Sequence, residues 1–152
     1  MRAQTKPSEH EKVVKKTISH AHPHDGKSLA DAMRAVEAAL DKKGLEPVLL
    51  DVREMASYTD YILVVSGRSD RQVSAIADAI LEALKDKKAV GTEGSRQGQW
   101  TLLDFGDVIV HVFYHPVREY YDLESLWIEA PRVKLDVPPE ARVSADEAYN
   151  MR

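Results

Sequence analysis

Cysteine is missing from this 152-residue chain, so disulfide staples and thiolate metal or redox centres are excluded and the core must hold by packing alone. Long apolar runs are missing too. None approaches the roughly 20 residues that a helix needs to cross a bilayer, and charges stand where a signal peptide has its apolar stretch. A cytoplasmic protein with no membrane partner is expected. Internal repeats are also absent, and the length with 43% hydrophobic residues suits one core rather than two.

The net charge of −4 is unevenly placed. Residues 1–24 carry Arg2, Lys6, Lys12, Lys15 and Lys16 against Glu9 and Glu11, a net +3 that leaves −7 for the rest. An acidic body favours a basic protein partner, with little direct nucleic-acid binding, because affinity for nucleic acid comes mainly from neutralising phosphates.

Residues 1–25 lack a sustained apolar period and are expected to be a flexible basic, His-containing tail. His20, His22 and His24 alternate beside Asp25, a spacing that suits a transition metal if the tail folds around it but equally suits a solvated tail. The domain is placed at 26–131. Ser28 is the expected N-cap of a first helix with Leu29, Ala32, Met33, Val36, Ala39 and Leu40 on one stripe and Gly44 as its C-cap. Residues 48–52 and 61–66 suit buried strands. Ser69 and Gln72 have capping-box spacing before a second helix carrying Val73, Ile76, Ala77, Ile80, Leu81 and Leu84. A strand at 90–93 completes a crossover expected to leave the strands at its two ends parallel.

Residues 99–105 and 108–114 flank Gly106-Asp107, the signal for a two-residue hairpin turn, and raise the count to five strands in a mixed sheet with flanking helices. Pro116 opens a short helix whose apolar stripe runs through Leu123, Leu126 and Trp127 until Pro131. Residues 132–152 read as a polar C-terminal tail, in which Ser144 and Glu147 cap at most a turn or two of helix.

The turn fixes the register: Asp104 faces Ile109, Leu102 faces His111 and Trp100 faces Phe113. Period two then puts Leu103, Phe105, Val108, Val110 and Val112 on a core face. The other face holds Trp100, Leu102, Asp104, Ile109, His111 and Phe113, apolar and aromatic around two polar groups, as interface centres tend to be. The competing reading covers this face with a helix and has Asp104 and His111 satisfy each other inside; partial cover lies between the two.

Asp51-Val52, Asp60-Tyr61, the run from Ser66 to Gln72, Glu93-Gly94, the run from Trp100 to Phe113 and the run from Arg118 to Trp127 resemble, in order, the successive motifs of the ribosomal silencing factor (Iojap-like) family over 28–131. The resemblance implies a nucleotidyltransferase-like α/β fold and no cofactor. It implies binding to the fourteenth protein of the large ribosomal subunit, which blocks small-subunit joining and represses translation when nutrients are scarce. The implied contact residues are Trp100, Leu102, Asp104, His111, Phe113, Arg118, Tyr121, Glu124 and Trp127. A homodimer of the free protein is a further expectation.

The fold likeness makes a divergent nucleotidyltransferase-like enzyme the alternative. Gly67 and Ser69 imitate its phosphate-binding turn, and Arg68, Asp70 and Arg71 surround it, but no acid pair at i and i+2 follows on a strand. Asp104-Phe105-Gly106 spells a kinase metal motif without the other kinase motifs.

Overall fold

The computed structural model describes residues 26–94 and 97–152. The expected basic tail and its histidines lie outside them. The first helix, α1 (Lys27–Asp41), buries Ala32, Ala35, Val36 and Ala39, small side chains that let it lie close on the sheet. Its N-cap is Gly26 at φ 90° rather than Ser28, which lies inside the first turn and is buried. At the other end, Gly44 N–H donates to the Ala39 carbonyl (2.8 Å) and Lys43 N–H to that of Leu40 (3.0 Å), a Schellman closure with Lys43 in the left-handed position at φ 65°. Gly44 is required by space instead: a Cβ there would lie 2.8 Å from the Ala39 carbonyl oxygen.

Strands β1 (Leu45–Asp51) and β2 (Tyr61–Gly67) pair antiparallel. β1 starts three residues before the expected strand, because a register shift between Leu45 and Val48 absorbs Glu46, at φ 47°, and the adjacent Pro47. Helix α2 (Asp70–Ala83) starts at Ser69, whose hydroxyl accepts from Gln72 N–H (3.1 Å). The Gln72 amide reaches further than a capping box asks, donating to the carbonyls of Lys42 and Lys43, 3.0 Å each, and so ties the start of α2 to the end of α1.

Strands β3 (Gly91–Gly94), β4 (Trp100–Asp104) and β5 (Val108–Tyr114) complete a five-stranded sheet of order β1-β2-β5-β4-β3. β2 runs parallel to β5, and β4 is antiparallel to both β5 and β3. The ends of the β2-α2-β3 crossover therefore run in the same direction, as expected, but with β5 and β4 between them. The hairpin register is the expected one: Trp100 opposite Phe113, Leu102 opposite His111, Asp104 opposite Ile109.

Beyond β5 the chain forms α3 (His115–Tyr121) and α4 (Leu123–Leu126), separated by Asp122 at φ 50°. Two cores result. On one sheet face α1 and α2 cover Leu49, Leu63, Val65, Leu103, Val110 and Val112. On the other, Val117, Leu123, Leu126 and Trp127 pack with Leu50, Val52, Ile62, Val64, Ile109 and Phe113.

Residues 132–152 are no free tail. Asp51 N–H donates to the Pro131 carbonyl and Val133 N–H to that of Leu49, 2.8 Å each, capping the β1 edge. A 3-10 turn (Pro139–Ala141) and helix α5 (Ala145–Asn150) follow, with Ala141 and Ala148 buried. Val143 N–H donates to the Glu46 carboxylate (2.9 Å), and Arg68 pairs with Glu147 (2.5 Å). Val133 and Leu135 also pack against the first core, but the other contacts fall on backbone groups, alanines and single carboxylates, so no apolar stripe announces them in the sequence.

Candidate functional site

The outer face of the hairpin is covered on its β5 half and open on its β4 half. Phe113 is fully buried, and His111 and Ile109 nearly so, whereas Trp100, Leu102 and Asp104 remain half-buried. Trp100 stands on the border. Its ring centroid lies 4.8 Å from Phe113 and 4.9 Å from Tyr121, and its indole N–H donates to His111 Nδ1 at 3.1 Å.

Two clefts flank the indole. One, of about 280 Å³, is lined by Glu93, Gly94, Trp100 and Leu102. The other, of about 320 Å³, runs between Gln97 and Gln99 on one side and Pro116, Val117, Tyr120 and Tyr121 on the other. Tyr120 is 82% and Tyr121 53% exposed, with the two rings edge to face at 5.1 Å. Surface aromatics beside clefts suit a partner that inserts side chains.

Asp104 and His111 do not pair. The Asp104 carboxylate accepts from Gly106 N–H (2.8 Å), and its carbonyl accepts from Val90 N–H (2.6 Å), so this residue holds the turn and the edge strand. Burial pushes the His111 imidazole down to about 4, keeping it neutral and its Nδ1 free to accept the indole proton.

Arg118 and Trp127, expected at the contact surface, are buried. The Arg118 guanidinium donates to Glu124 (2.9 Å), Ser66 Oγ (3.0 Å) and the Leu45 carbonyl (3.4 Å), fastening α3 to β1 and β2. His115 Nδ1 lies 2.8 Å from Ser66 Oγ; burial, and then the neighbouring Arg118 charge, hold this imidazole below its ordinary value. Fully buried, Ser66 is out of a substrate's reach. Of the nine residues selected from the sequence, Trp100, Leu102, Asp104 and Tyr121 reach the open surface, Glu124 is half-buried, and Phe113, His111, Arg118 and Trp127 support it from beneath. Sequence reasoning missed Tyr120 and the Glu93-Gly94 wall. Tyr120 stood in the quoted motif beside Tyr121, and its place four residues after Pro116 on one short helix was the available signal.

The turn that imitates a phosphate site is engaged by its own chain: Ser69 caps α2, Arg68 binds Glu147, and the Gln72 side-chain Oε1 accepts from Arg68 N–H. A polar cleft of about 390 Å³ on the far side of α3 is lined by Glu46, His115, Arg118, Glu119, Glu124 and Arg132, among others. Among the described residues no group of three or more His, Asp or Glu is placed to hold a metal ion. None of their helices is long and apolar enough to cross a membrane.

The family model described as "Ribosomal silencing factor during starvation" matches residues 25–152, reaching past residue 131, where the sequence resemblance ended. The ribosomal silencing factor of Chromobacterium violaceum is 43% identical over 95 residues, 61% of this chain and 78% of that protein. That of Bacillus subtilis is 40% identical over 107 residues, covering 68% and 91%. A crystal structure of a Chromobacterium violaceum protein superposes with a TM-score of 0.64 at 38% identity, over 72% of this chain and 92% of that one. With the order of its sheet, its two cores and its hairpin surface in place, this chain belongs to the ribosomal silencing factor family.

Proposed function

We propose that this protein represses translation in the cytoplasm by docking on the fourteenth protein of the large ribosomal subunit through the open half of the hairpin face and the exposed side of α3. Seated there, it blocks small-subunit joining sterically when nutrients are scarce. Catalysis has no part in this action. The observation that carries the reading is Trp100, held between two clefts at the border between the covered and the open half of this sheet face. The names of the relatives agree with a ribosome-associated regulator.

The test is sedimentation of the protein with separated subunits, using wild type, Trp100→Ala and Leu103→Ala. Wild type is expected with the large subunit alone. Loss of an interface anchor costs about 2 kcal/mol, roughly thirtyfold in dissociation constant. Half-buried Trp100 can be truncated with the fold retained, whereas fully buried Leu103 gives the control that unfolds. Folded Trp100→Ala that binds like wild type refutes the assignment. Self-association of the free protein through the same face would be lost in Trp100→Ala as well.

A further inference from the structure

We propose that His111 is a positioning residue for this surface: by accepting the indole N–H of Trp100 it locks that side chain into the ridge between the two clefts before any partner arrives. The inference rests on the reading of Trp100 as the docking anchor.

The hairpin places the two residues as diagonal neighbours on one face, Trp100 opposite Phe113 and His111 opposite Leu102, within reach of long aromatic side chains. The indole nitrogen is a donor only, so the 3.1 Å contact makes His111 Nδ1 the acceptor and puts its proton on Nε2. His111 is itself fixed: it is 8% exposed and stacked on buried Phe113 at 6.0 Å with 14° between the rings. Burial disfavours the imidazolium, which has no lone pair to offer at Nδ1.

Half-buried Trp100 has an alternative, since its N–H can turn toward water. An anchor free to turn must be ordered on binding, a cost that a preformed side chain avoids. An aliphatic residue at 111 would fill the space but remove the acceptor that orients the indole N–H, leaving the ring to its contacts with Phe113 and Tyr121. Asparagine restores an acceptor, because its amide oxygen stands close to where Nδ1 stands.

The experiment compares wild type, His111→Leu and His111→Asn in a Trp127→Phe background, which leaves Trp100 as the sole tryptophan of the two in the chain. Fluorescence anisotropy of the free protein reads indole motion, and sedimentation with isolated large subunits reads affinity. Folded His111→Leu is expected to show a lower anisotropy and binding weaker by roughly threefold to tenfold, with His111→Asn restoring both. Unchanged anisotropy in folded His111→Leu, or a loss that asparagine does not restore, overturns the lock. Nitrogen-15 spectra of wild type at neutral pH give a second measurement if the leucine variant does not fold. A neutral His111 protonated on Nε2, with slow exchange of the Trp100 indole proton, is expected; protonation on Nδ1 overturns the proposal. Failure of the docking reading looks different: Trp100→Ala then binds subunits like wild type while the lock is still seen in the free protein.

Discussion

At the scale of single residues the structure separates what touches the surface from what holds it. His111 and Arg118 are polar, buried and satisfied within the chain, and removal of either exposes what it was balancing. His111 ties stability to pH. Its imidazole titrates at about 4 in the fold against an ordinary 6.5, so between those values the unfolded chain holds a proton that the folded chain refuses. The stabilisation is complete above about 6.5, is lost as pH falls toward 4, and amounts to something on the order of 3 kcal/mol. His115 shifts in the same direction and adds to the loss. Urea midpoints should therefore fall between about pH 7 and about pH 4.5, less steeply in His111→Asn; equal midpoints in wild type would show that both imidazoles protonate freely in the fold. For Arg118→Met, the half-buried Glu124 carboxylate and the buried Ser66 hydroxyl left without their donor predict a loss of roughly 1 to 3 kcal/mol, partly recovered when Glu124→Leu is added. A single variant as stable as wild type would contradict a stabilising role for the Arg118 bonds. The sequence placed both residues on the docking surface because motif position does not reveal depth: Arg118 reads as a surface cation until β1 and β2 are seen beneath it.

At the scale of elements, legibility followed the source of each constraint. The hairpin was readable to the residue because a two-residue turn and a period of two leave one register. Helix α2 was readable from Ser69 and its apolar stripe. The first three residues of β1 were not, since Glu46 in a left-handed conformation before Pro47 breaks the pattern that defines a strand. The C-terminal segment was not readable either, being held through main-chain groups, the isolated apolar residues Val133 and Leu135, two alanines and the carboxylates of Glu46 and Glu147. Its packing makes a clear prediction. Deleting residues 138–152 removes the burial of Ala141 and Ala148, the Val143 to Glu46 bond, the Arg68 to Glu147 pair and the bond from the Tyr114 hydroxyl to the Met151 carbonyl. The melting temperature should fall by about 5 °C or more, since 1 kcal/mol corresponds to a few degrees in a domain of this size. A free polar tail would leave it unchanged, and that result would mean these contacts carry no net stability.

At the scale of the whole molecule, charge and cover act together. The chain is −4 overall, with a net +3 confined to residues 1–24, so everything after them sums to −7. Helices cover most of the sheet but leave the outer face of β4 and the edge strand β3 open, and the opening beside Trp100 is bounded by uncharged aromatics on one side and by Glu93 on the other. An uncharged, aromatic centre within an acidic molecule divides the work of binding in two. The aromatic anchor sets how slowly a complex separates, while the surrounding field sets how fast a basic partner arrives. Added salt shortens the reach of that field to about a Debye length, roughly 10 Å at 0.1 M, and leaves the packing of Trp100 on Phe113 and Tyr121 almost unaffected. Stopped-flow measurement of docking on the large subunit from low to moderate salt should therefore show the association rate falling severalfold with little change in dissociation. Trp100→Ala should show the opposite signature, faster dissociation with the same salt dependence of association. An association rate indifferent to salt would remove the acidic body from the mechanism and leave the aromatic ridge to account for binding alone.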